Sequence, residues 1–190
     1  MFELRYNTPA TWTEAVLADF DRFLQDHAAA EKKASGMALS MLAHYPDRPE
    51  LVEAMADLAI EELVHFKQVI KLLHARQKPL APDEKDAYIL QLRALFRKGK
   101  SEYFQDRLII AAVIEARGYE RFSLVAHALE PGKDRELYMA IAKSEEKHKN
   151  LFIELAERYF DPTEVKQRLS EILDAEAEIC RNLPIKAALH

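Results

Sequence analysis

The sequence predicts an all-α protein: a four-helix bundle with one long crossover, plus additional short and C-terminal helices. Three observations carry that reading. Apolar residues recur every three or four positions, as in Met55, Leu58, Ala59, Phe66, Val69 and Leu73, which is the period of a helix with one buried face. No stretch alternates apolar and polar residues for long enough to make a strand. The eight prolines fall between the periodic stretches, at Pro9, Pro46 and Pro49, Pro79 and Pro82, Pro131, Pro162 and Pro184. Proline inside a helix costs about 3 kcal/mol, so each proline-free stretch is free to be helical.

Taken in order, the helices are expected at 13–44, with a break near Asp19 to Asp21, then at 49–76, 84–97, 101–129, 133–160 and 163–182. The turns after the first and fourth of these are only a few residues long, so each flanking pair folds as an antiparallel hairpin. The stretch from Lys78 to Lys100 is longer and carries its own short helix with Tyr88, Leu90, Leu92, Leu95 and Phe96. It has the length to return along the bundle and join the two hairpins. The last helix, with Val165, Leu169, Ile172, Leu173 and Ile179, packs on the outside and stabilises rather than reacts.

With 190 residues the chain fits a single domain, 1–190, that buries roughly 70% of its unfolded surface. The balance of 49% hydrophobic to 31% charged residues is that of a soluble globular protein. Charges interrupt every long helical pattern, so no membrane span is expected. The opening Met1-Phe2-Glu3-Leu4-Arg5 lacks the basic and then apolar run of a signal peptide. One cysteine permits no intrachain disulfide, which fits a cytoplasmic location. A net charge of −5 argues against a strongly basic nucleic-acid surface overall but leaves room for a local one.

The chemistry is concentrated in two copies of one pattern, Glu62-Leu63-Val64-His65 and Glu145-Glu146-Lys147-His148. Residues three apart on a helix share a face, so each copy turns a carboxylate and an imidazole to the same side. That side is the apolar one: Glu62 and His65 interrupt the stripe from Met55 to Leu73, and Glu145 and His148 the stripe Leu137, Ile141, Phe152, Leu155. Glu31 and Glu115 interrupt stripes of their own, 31 residues before Glu62 and 30 before Glu145. Four buried carboxylates without counter-charge would be very costly, and two divalent cations remove that cost. A Glu from each of two helices plus Glu-x-x-His from each of the other two is the ligand set of ferritin-like di-iron or di-manganese bundles. The expected ligands are therefore Glu31, Glu62, His65, Glu115, Glu145 and His148, with Glu62 and Glu145 bridging or shifting between the metals and Glu31 and Glu115 terminal. The donors suit iron or manganese without choosing between them, and two iron ions are the expected pair. The corresponding chemistry is reductive activation of O2 toward an unactivated C–H bond.

Around these ligands, Tyr119 stands one turn after Glu115 as a candidate proton donor. Glu61 and Ser144 are placed either to orient a ligating histidine across the bundle or to stand as solvated surface groups. Gly36 and Gly118 inside helices point either to close packing or to space, or a local widening of the helix, beside the metals. His27, His44, His74 and His127 have no partner pattern and are expected at the surface or in packing.

The stretches Asp26-His27-Ala28-Ala29-Ala30-Glu31, Glu61-Glu62-Leu63-Val64-His65-Phe66, Glu115-Ala116-Arg117-Gly118-Tyr119-Glu120-Arg121-Phe122 and Ser144-Glu145-Glu146-Lys147-His148 resemble the bacterial tRNA hydroxylases that act on 2-methylthio-N6-isopentenyladenosine. The resemblance covers nearly the whole chain and includes all six metal positions. Bacterial hydrocarbon monooxygenases, by contrast, carry Asp where Glu61 and Ser144 stand. The resemblance implies a tRNA substrate, hydroxylation of the isopentenyl chain, and O2 with two electrons from an external reductase or ferredoxin. The competing readings are an iron-handling ferritin-like protein or a rubrerythrin-like peroxidase, although one cysteine cannot supply the latter's Cys-x-x-Cys pair, and a manganese catalase or a ligand-binding bundle. Two basic groups are candidates for the tRNA phosphates: Lys71, Arg76, Lys78, Arg121, Lys133 and Arg135, and Arg93, Arg97, Lys98 and Lys100.

Overall fold

The computed structural model describes residues 2–190, which hold seven helices and no strand. They are α1 (Ala10–Ala18), α2 (Phe20–His44), α3 (Pro49–Ala75), α4 (Ala87–Arg93), α5 (Lys100–Ala128), α6 (Lys133–Tyr159) and α7 (Pro162–Asn182). They fall into two compact units, one of residues 14–84 with 186–189, the other of 2–13 and 85–185 with residue 190.

The expected break in the first helix falls at Asp19. Its carboxylate accepts a hydrogen bond from Arg22 N, capping α2 and separating it from α1, which begins at Ala10, three residues before the expected start. The first unit is the α2–α3 hairpin, closed by a turn that ends with Pro49 as the first residue of α3. There proline's missing N–H costs nothing. Ser35 Oγ donates to Ala59 O at 2.9 Å, so the helices pack closely at mid-length. From Pro79 onward the chain runs back along α2. Gln25 Nε2 donates to Pro79 O at 2.8 Å, Lys32 Nζ pairs with Asp83 at 2.8 Å, and Lys33 Nζ donates to Glu84 O at 2.9 Å. The expected return of the long connection is therefore held by side chains of α2 itself.

In the second unit, α5 and α6 form the other hairpin, with α7 packed on it and α4 packed on α7. The crossover helix is shorter than the expected 84–97. Asp86 starts it, accepting from Tyr88 N and Ile89 N, and Glu84 is already committed to α2. The tight turn after Arg93 ends it, where Arg168 Nη2 takes the Leu95 carbonyl and Arg97 N donates to Asp106. Asp106 is buried between the guanidiniums of Arg97 and Arg168, each at 2.8 Å. Burial opposes its charge, but these hydrogen bonds prevail and hold its carboxyl below the usual range.

A second buried ion cluster joins α5 to α7. Arg117 and Glu176 are both 0% exposed and meet through two parallel hydrogen bonds, Nε to Oε1 at 2.8 Å and Nη2 to Oε2 at 2.9 Å. Tyr88 Oη donates to Glu176 at 3.0 Å and Cys180 Sγ at 3.1 Å. Arg117 also binds Glu120, whose carboxylate accepts from the Thr8 backbone N–H and hydroxyl at 2.7 Å each. α7 supplies the counter-charge for the arginine two positions beyond Glu115.

Candidate metal centre

In the α2–α3 unit, the inward stripes leave Glu31, Glu62 and His65 together in the interior. One donor atom of each lies within 4.8 Å of the others. His65 presents Nδ1 to both carboxylates, 3.3 Å from Glu62 Oε2 and 3.7 Å from Glu31 Oε2. Burial alone would push this imidazole toward the neutral form, but the two carboxylates outweigh it and raise its pKa from 6.5 to about 10. Glu31, also buried, is nonetheless held well below the usual carboxylate range by its hydrogen bond with His27 and by the nearby His65 imidazole.

The α5–α6 unit repeats the arrangement with Glu115, Glu145 and His148. One donor atom of each again lies within 4.8 Å of the others. His148 likewise turns Nδ1 to its carboxylates, 3.9 Å from Glu115 Oε2 and 4.0 Å from Glu145 Oε2. All six side chains belong to residues no more than 7% exposed.

Each triad therefore offers two carboxylates and one imidazole nitrogen in a dry interior. This is a hard, anionic donor set of the kind that suits iron or manganese and has no thiolate to favour a softer ion. The carboxylates exceed the positive charge that the histidine can supply, and a divalent ion balances them. By donor chemistry, both triads fit a metal ion.

The surroundings differ from expectation at several points. His27, expected at the surface or in packing, is fully buried, and its Nε2 lies 2.5 Å from Glu31 Oε1. The readable signal was a His-x-x-x-Glu spacing on the inward face of α2, which brings the two side chains together across one turn. Ser144 approaches a histidine of its own helix, with Oγ 3.5 Å from His148 Nε2, whereas the expectation placed it across the bundle. Glu61 is half-buried.

Gly118 does leave room beside a carboxylate. A Cβ there would sit 3.4 Å from Glu145 Oε2, and α5 runs through it as unbroken α-helix, without the local widening considered above. Gly36 is exposed with nothing within 4 Å of an added Cβ, so close packing does not explain it. Tyr119 is half-buried, and the Lys149 ammonium lies 5.3 Å from its ring centre.

The two basic groups are depleted by internal pairing. Arg76 and Lys78 both bind Asp21, at 2.6 and 3.1 Å. Arg121 is buried against the Trp12 ring and Thr8 Oγ1, because the N-terminal segment covers it, and Arg97 is spent on Asp106. Lys71 and Lys133 in the first group, and Arg93, Lys98 and Lys100 in the second, remain exposed.

Residues 2–190 match the family described as tRNA-(MS2IO6A)-hydroxylase (MiaE). The chain is similar to a tRNA 2-(methylsulfanyl)-N(6)-isopentenyladenosine(37) hydroxylase of Pseudomonas putida. The two are 38% identical over 92% of this chain and 85% of that protein. A Salmonella typhimurium protein of the same name is 29% identical over 81% of this chain, which spans 56% of that relative's length. Among solved structures, a Synechococcus protein with aldehyde deformylating oxygenase activity superposes with a TM-score of 0.92 at 34% identity, over 98% of this chain and 93% of that one. Helix content, helix order and this match place the fold in the ferritin-like class.

Proposed function

The chain belongs to the tRNA-(MS2IO6A)-hydroxylase family, and from that premise we propose that it is an O2-dependent non-haem di-iron monooxygenase. Its substrate is tRNA carrying 2-methylthio-N6-isopentenyladenosine, and the reaction hydroxylates the isopentenyl side chain. The observation that carries this reading is the repeated buried triad of one Glu and one Glu-x-x-His. Glu31, Glu62 and His65 hold one iron ion, and Glu115, Glu145 and His148 hold the other. When bound, the ions supply reductive activation of dioxygen.

In balance, a methyl C–H, O2, two electrons and two protons give an alcohol and water. The electrons come from a separate reductase or ferredoxin. The chain's own residues do the rest. Burial keeps bulk water from the oxidising centre. His27 fixes the orientation of Glu31 through its hydrogen bond. Gly118 keeps a side chain away from Glu145, leaving that carboxylate room to move. Tyr119, one turn beyond Glu115, is assigned the delivery of a proton. The isopentenyl group must leave the base stack to reach a buried site, a demand of the kind that base flipping meets.

The test is to incubate iron-loaded protein with a chemical reductant, O2 and tRNA bearing 2-methylthio-N6-isopentenyladenosine, then digest the tRNA and weigh its nucleosides. A nucleoside heavier by one oxygen, formed only when all components are present, supports the assignment. Peroxide consumption that is indifferent to tRNA, with the nucleoside unchanged, would overturn it in favour of a peroxidase or iron-handling role.

A further inference from the structure

We propose that the outer face of α3 is a two-fold interface through which two copies of this chain pair, with their α3 helices antiparallel. Along that face Glu53, Asp57, Ile60, Val64, Lys67 and Lys71 follow one another at alternating steps of four and three, the spacing of a coiled-coil seam. All six are exposed. The centre of the stripe is apolar, with Ile60 63% exposed and Val64 47%, flanked by Leu63, also 47%. A soluble surface ordinarily keeps such residues scattered.

The two halves of the chain provide an internal control. The positions of α6 that correspond to Ile60, Leu63 and Val64 relative to its own Glu-x-x-His are Lys143, Glu146 and Lys147. The turn carrying the metal-ligand motif therefore does not itself require an apolar exterior.

Charge identifies the occupant. The stripe is acidic before its apolar centre and basic after it, and the two sides are matched by position. Ile60 and Val64 stand two residues either side of Glu62, Asp57 and Lys67 five, Glu53 and Lys71 nine. A two-fold axis crossing α3 at the level of residue 62 therefore sets Asp57 against Lys67 and Glu53 against Lys71 of the other copy, with the apolar residues between them. This self-complementarity is what an isologous contact requires.

Within one chain the pattern is unfavourable, because Glu53 and Asp57, and likewise Lys67 and Lys71, are like charges one turn apart. None of the four has an ion-pair partner among the described residues. The helix dipole does not explain them either, since its influence fades within the terminal turn. Asp57 and Lys67 each lie two turns inside α3.

The experiment is sedimentation equilibrium of the full-length, iron-loaded protein from about 1 to about 200 µM. With a small apolar centre, a dissociation constant on the order of 10 µM is expected. Ile60→Glu should weaken pairing about 100-fold. Lys67→Glu should weaken it about tenfold, and adding Asp57→Lys to Lys67→Glu should restore it, because the swapped charges meet again across the axis. Circular dichroism of each variant distinguishes loss of pairing from loss of fold. A wild type that stays monomeric throughout, or a dimer indifferent to Ile60→Glu, overturns the proposal. So does a monomer whose tRNA binding falls with Ile60→Glu, which would give this face to the substrate instead.

Discussion

Replacing Glu176 by Gln tests the claim that the Arg117 cluster is a principal tie within the α4–α7 unit. The substitution keeps the side chain's size and one acceptor but removes the charge. Arg117 is then left in an interior where both partners are 0% exposed, with Glu120 as its remaining carboxylate. Removing one member of a buried pair typically costs 3–5 kcal/mol. Retention of Glu120 puts this case near the lower end, about 3 kcal/mol. For a chain of this length each kcal/mol moves Tm by about 2–4 °C, so a fall of about 6–12 °C is expected. Urea unfolding followed by circular dichroism, with the midpoint and slope fitted separately, measures the cost directly. Glu176→Leu should cost more, because it also strands the Tyr88 hydroxyl, which donates to Glu176 at 3.0 Å. A loss below about 1 kcal/mol for both variants would show that the cluster is held by packing alone and that its charges are incidental.

Four further outcomes are expected. Glu115→Ala or His148→Ala should reduce iron below two per chain and abolish hydroxylation while leaving helical content largely intact; full loading in either would remove that residue from the ligand set. His27→Ala should lower iron affinity about 10- to 100-fold, as loss of a ligand's hydrogen-bond partner does at metal sites, read by competition with a chelator; unchanged affinity would make His27 a packing residue only. Gly118→Ala should fold at least as stably as the parent, since helix propensity favours alanine by about 1 kcal/mol and its Cβ reaches only ordinary contact, whereas Gly118→Leu should displace Glu145 and lose iron. Burial opposes the Asp86 charge, but the hydrogen bond to His190 and those from the Ile89 and Tyr88 amides outweigh it, taking its pKa from 3.8 to about 2. Its contribution is therefore present above about pH 4 and lost as pH falls through 2. Asp86→Asn should be less stable by up to about 2 kcal/mol at pH 6, with the difference shrinking below pH 3; a constant difference would refute the linkage.

Much of this architecture was legible in the chain because its signals are periodic and local. Proline positions and apolar spacing located six helical stretches, with the break at Asp19, and the two buried carboxylate–imidazole triads followed from carboxylates sitting where apolar residues should be. What escaped was decided by distant partners. The crossover helix was overdrawn because nothing in 84–97 announces that Lys33 takes Glu84, or that Arg168 takes the carbonyl of Leu95. Arg121 and Arg76 read as surface cations because sequence does not show Trp12 or Asp21 arriving beside them. His27 is hard to read for the opposite reason. Its partner Glu31 lies one turn away, but a His-x-x-x-Glu pair is informative only once the buried face of α2 is known.

Both hairpins are built from segments adjacent in the sequence, whereas the fastenings that finish each unit join residues far apart, Thr8 to Glu120 and the Leu189 amide to Asp26. Chain-closure entropy makes nearby segments cheap to bring together and remote ones slow. The hairpins should therefore assemble early, with the terminal segments docking afterwards. A nascent chain would then carry each carboxylate–imidazole trio in place before its last fastening closed.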